Sequence, residues 1–543
     1  MHGAMVAIRA MIHLKMRSEI PMAQDQTAGA AVSLRERVSA PPAQTLVDSY
    51  YTFAVAAGIR FQFEPEMRIH FAHGLMVAER GIVSARDIAR TFEVLLELRR
   101  TGPASLSIDY RQEDLYSYIE RHIVQTLGPE VGGRLHTGRS RNDLHVTSWR
   151  LALRERLLAL IEALDRVRAR LLDLAQAHVD TVMPGYTHTQ HAQPITFGYY
   201  ALSAADLMAR DHARLRHALS TCDRCPLGSG ALSTTGFPID REMTRDLLGF
   251  ADLVEVGYDG VSARDDVHEA MAALAVMMTG LSRIATDLQT WNTMEYGFIE
   301  LADAYSSVSS IMPQKKNPQA LEHIKTIAAI ATGTLQTVLA CSKNTSLADV
   351  NDGVTGLNVP ALDAIERATL ALNVAEGTLA TLSVRKDAML RSAEIGFGTA
   401  TELADLIVRE TGLSFRMAHN VVGRVVRETI EAGRTAMDIT SADLDAAAQA
   451  LFGRKLGISQ AATREALDPA QNVRARIVTG GPSPERMADM LARRLADLDR
   501  DRQDVDAVRR RVAAATAGLE ERVEKLVREA GAGRQQEERH GTR

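Results

Sequence analysis

Between Val146 and His178 the apolar side chains Trp149, Leu153, Leu157, Leu160, Leu164, Leu171 and Leu174 fall at three- and four-residue steps or their sum. That spacing marks one face of a long α-helix. Similar patterns occupy residues 196–219, 264–292, 319–342 and 358–382. Strand-like alternation is scarce, so the fold class is predicted to be mainly α, with a bundle of five long helices. A helix of about thirty residues spans about 45 Å, more than one compact subunit needs. The apolar faces are therefore expected to pack partly against partner subunits.

With 543 residues the chain exceeds one ordinary core. Residues 1–46, which run into Ala-Pro-Pro-Ala, are expected to be a disordered extension. The first eighteen lack acids and carry Arg9, Lys15 and Arg17, and Met5, Met11, Met16 and Met22 offer later starts. A small helical domain is expected over 47–136, with one helix entered at Ser84, an N-cap residue type. The long-helix bundle takes 137–386. A third, helical domain takes 387–500, where Gly396, Gly398, Gly412, Gly433, Gly453 and Gly457 punctuate shorter patterns. Residues 501–543 are expected to form a helical tail that frays.

Composition removes several classes of function. A net charge of −5 with 24% charged residues gives no basic surplus for nucleic acid and no acidic tail. No uninterrupted apolar run reaches the ~18 residues of a membrane span. Three cysteines cannot build a disulfide framework, and the lone pair Cys222 and Cys225 lacks the second pair or histidines of a zinc site. Reduced thiols fit a reducing, cytoplasmic setting.

Four polar segments, three of them containing glycine, interrupt the helical patterns. His136-Thr137-Gly138-Arg139-Ser140-Arg141-Asn142-Asp143 precedes the first long helix and sets donors at a helix N-terminus, where an anion is favoured. A plain cap would use only one of them. Met183–Pro194 joins the first two long helices and carries Thr187, His188 and His191, and His188 can titrate near neutral pH. Leu227-Gly228-Ser229-Gly230-Ala231-Leu232, followed by Phe237–Arg241, reads as a tight structural turn. Ser309-Ser310-Ile311-Met312-Pro313-Gln314-Lys315-Lys316-Asn317-Pro318 holds two of the chain's eight lysines. A serine there becomes a base only if its alkoxide is stabilised, for instance by Lys315 and loop amides. Lys315 and Asn317 suit a carboxylate gaining a second negative charge. Glu322, early in the following helix, suits the orientation of a histidine.

Taken in order and spacing, these segments resemble the fumarase/aspartase superfamily, and the Gln-Lys-Lys form resembles its argininosuccinate lyase branch. Gly480-Gly481-Pro482-Ser483-Pro484 adds a weaker match. The resemblance implies a homotetramer with active sites shared by three subunits, no cofactor and no metal. It implies elimination of an amine from a succinyl group, with release of fumarate through an aci-carboxylate. By motif, Ser309 is the implied general base, and Lys315 and Asn317 stabilise the intermediate. His188 with Glu322 polarises substrate or relays a proton. Ser140, Arg141, Asn142, Thr187 and Asp114 complete the substrate-binding set.

Departures from the branch leave the identity of the leaving group open. Glu113-Asp114-Leu115-Tyr116 stands where the branch has Glu-Asp-x-His, and Leu144-His145 stands where it has Gln-Val. Val256 and Gly257 replace an Asn-Ser pair, and Val308 replaces a glycine. The Tyr, Gln and Lys that hold the amine end there align, without gaps, on Asp349, Val354 and Leu357. The acids of Asp349-Val350-Asn351-Asp352-Gly353 favour a cationic amine. Argininosuccinate is the first expectation. Another succinylated amine, as in ethylenediamine-disuccinate lyases, is the alternative, and a silent structural homologue, as among lens crystallins, is a third reading.

Overall fold

The computed structural model describes residues 37–38 and 40–541, without the side chains of 352–355 and 534–541. Most of the extension expected over 1–46 lies outside the described residues. Helical turns run from Gln44, with π-turns at Val47–Tyr51 and Gly58–Gln62, into α1 (Phe63–Glu79). Against it packs α2 (Ala85–Thr101), capped by Ser84 Oγ accepting from Asp87 N, and α3 (Leu115–Leu127), capped by Asp114, packs on α2. Their core includes Met67, Phe71, Phe92, Tyr118 and Ile119.

Five long helices follow, close to the predicted bounds. They are α4 (Arg141–Ala177), α5 (Phe197–Cys222), α7 (Asp265–Trp291), α8 (Gln319–Ser342) and α9 (Asn351–Thr381), with the short α6 (Arg241–Leu248) before α7. They close a ring in which α4 packs on α5 and α9, α7 on α5 and α8, and α8 on α9. Leu157, Leu160, Ile161, Leu164, Met208, Leu274, Met277, Ile324 and Ile365 fill the centre. The helix α4 spans about 55 Å over its 37 residues. Among the described residues α7 and α8 are long and apolar enough to cross a membrane, but α7 is mostly buried in the bundle. By contrast α8 leaves Ile330 and Leu339 exposed.

Beyond a ten-residue helix at Lys386–Ile395, four helices, α10 (Ala400–Thr411), α11 (Phe415–Glu431), α12 (Ser441–Phe452) and α13 (Gln460–Leu467), surround their own core of Leu403, Ile407, Val421, Val425 and Leu444. Gly412 and Gly453 take left-handed conformations that end α10 and α12, where a Cβ would be strained.

The last helix, α14 (Pro484–Gly541), runs straight through the boundary expected at 500. Leu491, Leu498, Val505, Val512 and Leu519 are buried at seven-residue spacing, a coiled-coil-like seam. Its first half packs into the bundle core, while Leu519 and Val523 enter the N-terminal core. Arginines line the seam: Arg494 grips Asp206 in a two-bond fork at 2.9 Å, and Arg509 reaches Glu155 at 2.8 Å and Glu162 at 2.6 Å.

Candidate active site

The segment after α4 is not a plain loop. It is an antiparallel hairpin of β1 (Val182–Thr187) and β2 (Gln190–Thr196), bulged at Gly185. His188 and Thr189 form its two-residue turn, with φ of 54° and 58°. Positive φ is uncommon outside glycine, less so for histidine, and a β-branched threonine there is the strained member of the pair; strain of this kind concentrates at functional positions. It leaves His188 and Thr187 exposed at the tip. The companion His191 instead packs edge-on against Tyr186, with Nε2 3.5 Å from Ser392 Oγ.

The Ser309 loop also rises from a small hairpin, β3 (Ser307–Val308) with β4 (Lys316–Asn317). Ser309 Oγ accepts the backbone N–H of Ile311 at 3.3 Å and of Met312 at 3.0 Å. Two amides aimed at one hydroxyl oxygen stabilise negative charge on it. The two lysines divide their work. Lys316 is tied to Asp303 at 2.7 Å and Glu300 at 3.3 Å, whereas Lys315 Nζ makes no ion pair among the described residues. Asn317 Nδ2 lies 3.5 Å from Ser307 Oγ. Glu322 is exposed in the first turn of α8. The expected pairing of Glu322 with His188 is not made within the chain: both are exposed, His188 in the hairpin turn and Glu322 in the first turn of α8.

At the other end of α4 a capping box holds the start of the helix. Ser140 Oγ accepts from Asn142 N at 3.3 Å, and Asp143 Oδ1 accepts from Ser140 N at 3.0 Å. Asp143 Oδ2 accepts the amides of Gly228 and Gly230 at 2.8 and 2.9 Å, so the Gly228–Gly230 turn is a structural brace. A cavity of about 380 Å³ opens beside this helix start, lined by Tyr50, Glu113, Asp114, Arg141, Asn142, His145 and Asp349 among others. Asp114 is saturated: Oδ1 accepts from the amide and hydroxyl of Ser117, while Oδ2 faces Arg141 Nη1 and His145 Nε2, both at 3.1 Å. Burial opposes its charge, but these donors hold its carboxyl well below the usual carboxylate range. Asp114 thus positions Arg141 and His145 and has no oxygen left for substrate. Asp349 faces the cavity and accepts from Arg264 at 3.2 Å. Leu357 does not line it. It is wholly buried in the bundle, and the side chain of Val354 lies outside those described.

The two groups lie at opposite ends of the bundle. Ser140–Asn142 and the cavity sit at the N-terminus of α4, where His268 of α7 meets Ser342 of α8 at 2.7 Å. The His188 hairpin follows the C-terminus of α4, and there Tyr186 packs on Tyr296 from the segment leading to Ser309. About 55 Å of helix separates them. Sequence reasoning missed Tyr50 and the positioning role of Asp114. It saw His145 only as a departure, although its four-residue step from Arg141 put both on one helix face.

A ring of long helices carrying a Ser-Ser-Ile-Met-Pro-Gln-Lys-Lys-Asn loop at one end and an Arg-Asn helix start at the other defines a lyase of the fumarase/aspartase class. A family model described as lyase matches residues 60–333, and one described as argininosuccinate lyase C-terminal matches residues 397–474. Argininosuccinate lyase 1 of Shouchella clausii is 36% identical over 479 residues, covering 88% of this chain and 96% of that protein. The argininosuccinate lyase of Methanosarcina barkeri is 37% identical over 464 residues, covering 84% and 91%. A variant of EDDS lyase with bound fumarate superposes with a TM-score of 0.82 at 33% identity, covering 90% of this chain and 97% of that one. The chain belongs to the argininosuccinate lyase family.

Proposed function

We propose that this lyase eliminates an amine from an N-succinyl-type substrate and releases fumarate, with argininosuccinate, cleaved to arginine and fumarate, as the first substrate. The observation that carries this reading is the Ser309 hydroxyl under two backbone amides, on the loop that also carries Lys315, which has no ion pair among the described residues. Ser309 takes the Cβ proton. The electron pair moves into the adjacent carboxylate, giving an aci-carboxylate that Lys315 and Asn317 stabilise. Collapse of that intermediate forms the double bond, and the C–N pair leaves with the amine. Arg141, Asn142, Ser140 and Thr187 hold the succinyl carboxylates. His188, oriented by Glu322, carries protons or polarises substrate.

A site of this kind needs both ends of the bundle, and one chain keeps them about 55 Å apart. Copies of the chain packed through faces such as that of α8 would bring one copy's Ser309 and another's His188 to a third copy's Arg141. A homotetramer in the cytoplasm, serving arginine biosynthesis, fits this arrangement.

Glu113 and Asp349 favour a second reading in which another cationic amine leaves, and the likeness to EDDS lyase supports it. Purified protein mixed with argininosuccinate should raise the absorbance of fumarate. If it does not, fumarate offered with a panel of amines in the addition direction identifies the altered partner. Failure of every amine would leave the silent-homologue reading standing.

A further inference from the structure

His145 stands one turn beyond Arg141 on α4 and lines the same cavity as Arg141, Asn142 and Tyr50. Its Nε2 is committed to Asp114 Oδ2 at 3.1 Å, and Nδ1 makes no hydrogen bond among the described residues. This arrangement makes the protonation state decisive. The imidazolium keeps Nε2–H on Asp114 and leaves Nδ1–H for a partner from outside the chain. The neutral ring keeps Nε2–H on Asp114 and presents a lone pair at Nδ1. The same edge therefore attracts a carboxylate in one state and repels it in the other.

The groups around the ring come from every element packed on it. Asp114 and Glu113 precede α3, Glu66 lies on α1, and Arg141 shares α4. Arg264 and Asp266 open α7, and Asp349 precedes α9. Glu66 is fully buried, and neither of its carboxyl oxygens has a hydrogen-bond partner. Burial alone would lower the His145 pKa, but the hydrogen bond and charge of Asp114, with Glu66 behind, leave it raised above the ordinary 6.5.

We propose that His145 is a substrate-binding residue, a third donor beside Arg141 and Asn142 to a substrate carboxylate, and that its tether to Asp114 makes carboxylate affinity depend on pH. This rests on the lyase reading for the identity of the dicarboxylate. It goes beyond that reading in assigning His145, which none of the four motif segments includes.

Succinate, a dicarboxylate that cannot react, is the probe, with binding measured by calorimetry from pH 6 to 9. The wild-type affinity should fall by about ten- to a hundredfold as His145 loses its proton. His145→Leu should bind weakly at pH 6, with that fall abolished. His145→Gln, which keeps a neutral donor, should bind at an intermediate strength with a flattened profile. Far-UV circular dichroism reports whether either variant has folded. Wild-type binding that does not change with pH, or a folded His145→Gln that keeps the full wild-type profile, overturns the proposal. The two readings fail separately. Fumarate release with pH-independent succinate binding removes His145 alone, whereas loss of succinate binding in the variants with no turnover of any succinylated amine removes the lyase reading alone.

Discussion

Ser309 Oγ accepts the backbone N–H of Met312 at 3.0 Å, and the amide of Ile311 reaches the same oxygen at 3.3 Å. A serine hydroxyl is a weak base, and these two dipoles lower the cost of its alkoxide before substrate arrives. They also fix the hydroxyl on an otherwise exposed loop. Ser309→Ala should leave the melting temperature and circular dichroism unchanged while kcat falls by about 10²–10⁴. Retained turnover would remove Ser309 as the base.

The adjacent lysines should separate in a pair of variants. Lys316 is held by Asp303 and Glu300, and those contacts pin the small hairpin that carries the loop. Lys315, which has no ion pair among the described residues, is left to meet the developing aci-carboxylate. Lys315→Ala should lower kcat by about 10²-fold or more with little change in melting temperature. Lys316→Ala should retain more activity and lower the melting temperature slightly. Equal kinetic losses would show that the loop acts as one unit rather than through Lys315.

His188 and His191 lie on the same hairpin with different surroundings. His188 occupies the positive-φ turn and is exposed, whereas His191 packs on Tyr186 so close to Gly396 that a Cβ there would meet its ring. His188→Ala should cost at least about 10²-fold in kcat, and His191→Ala should cost several-fold at most. A His191 loss as large as that of His188 would reverse the assignment.

The five long helices were legible because each carries an uninterrupted apolar stripe, and their observed ends fall within a few residues of the pattern for all but α9. The hairpin at 182–196 was hidden because Pro184, Gly185 and Pro194 break the alternation that marks strands. The course of α14 past residue 500 was written in the seven-residue spacing from Leu491 to Leu519, but Gly531 and Gly533 near its end suggested fraying. In the site, residue types marked Ser309, Lys315 and Arg141 as chemical. No sequence pattern shows that Ser117 and His145 use up the oxygens of Asp114, or that Leu357 turns into the core. Those facts arise from packing between segments far apart in the chain.

Glu66 links the site to stability. Burial pushes its carboxyl from 4.5 up to about 8, with His145 pulling down and Asp114 pushing up. Between those two values the folded chain keeps a proton that the unfolded chain has released. Stability therefore falls as pH rises through this window, with a slope of at most about 1.4 kcal/mol per pH unit. The wild-type melting temperature should decline from pH 5 to pH 8. Glu66→Gln should flatten that decline and melt higher than the wild type at pH 8. An unchanged slope in the variant would mean that Glu66 is not the group responsible.

Separation of Arg141 from Ser309 along the bundle predicts complementation between inactive copies. If a working site draws Ser309 from one copy and Arg141 from another, then Ser309→Ala and Arg141→Ala each ruin every site in their own homo-oligomer. In a mixed oligomer, some sites fall where both contributing copies are intact at the position they supply. Two inactive variants, unfolded together and refolded as a mixture, should therefore regain a measurable fraction of wild-type activity, while each refolded alone stays inactive. Ser309→Ala mixed with Lys315→Ala should not recover, because both changes lie on one loop of one chain and no copy supplies that loop whole. Recovery in neither mixture, with mixed oligomers confirmed by native mass spectrometry, would place the whole site within a single chain. The chain would then have to bend through the length of α4 to close it, which a helix packed on α5, α9 and α14 does not allow.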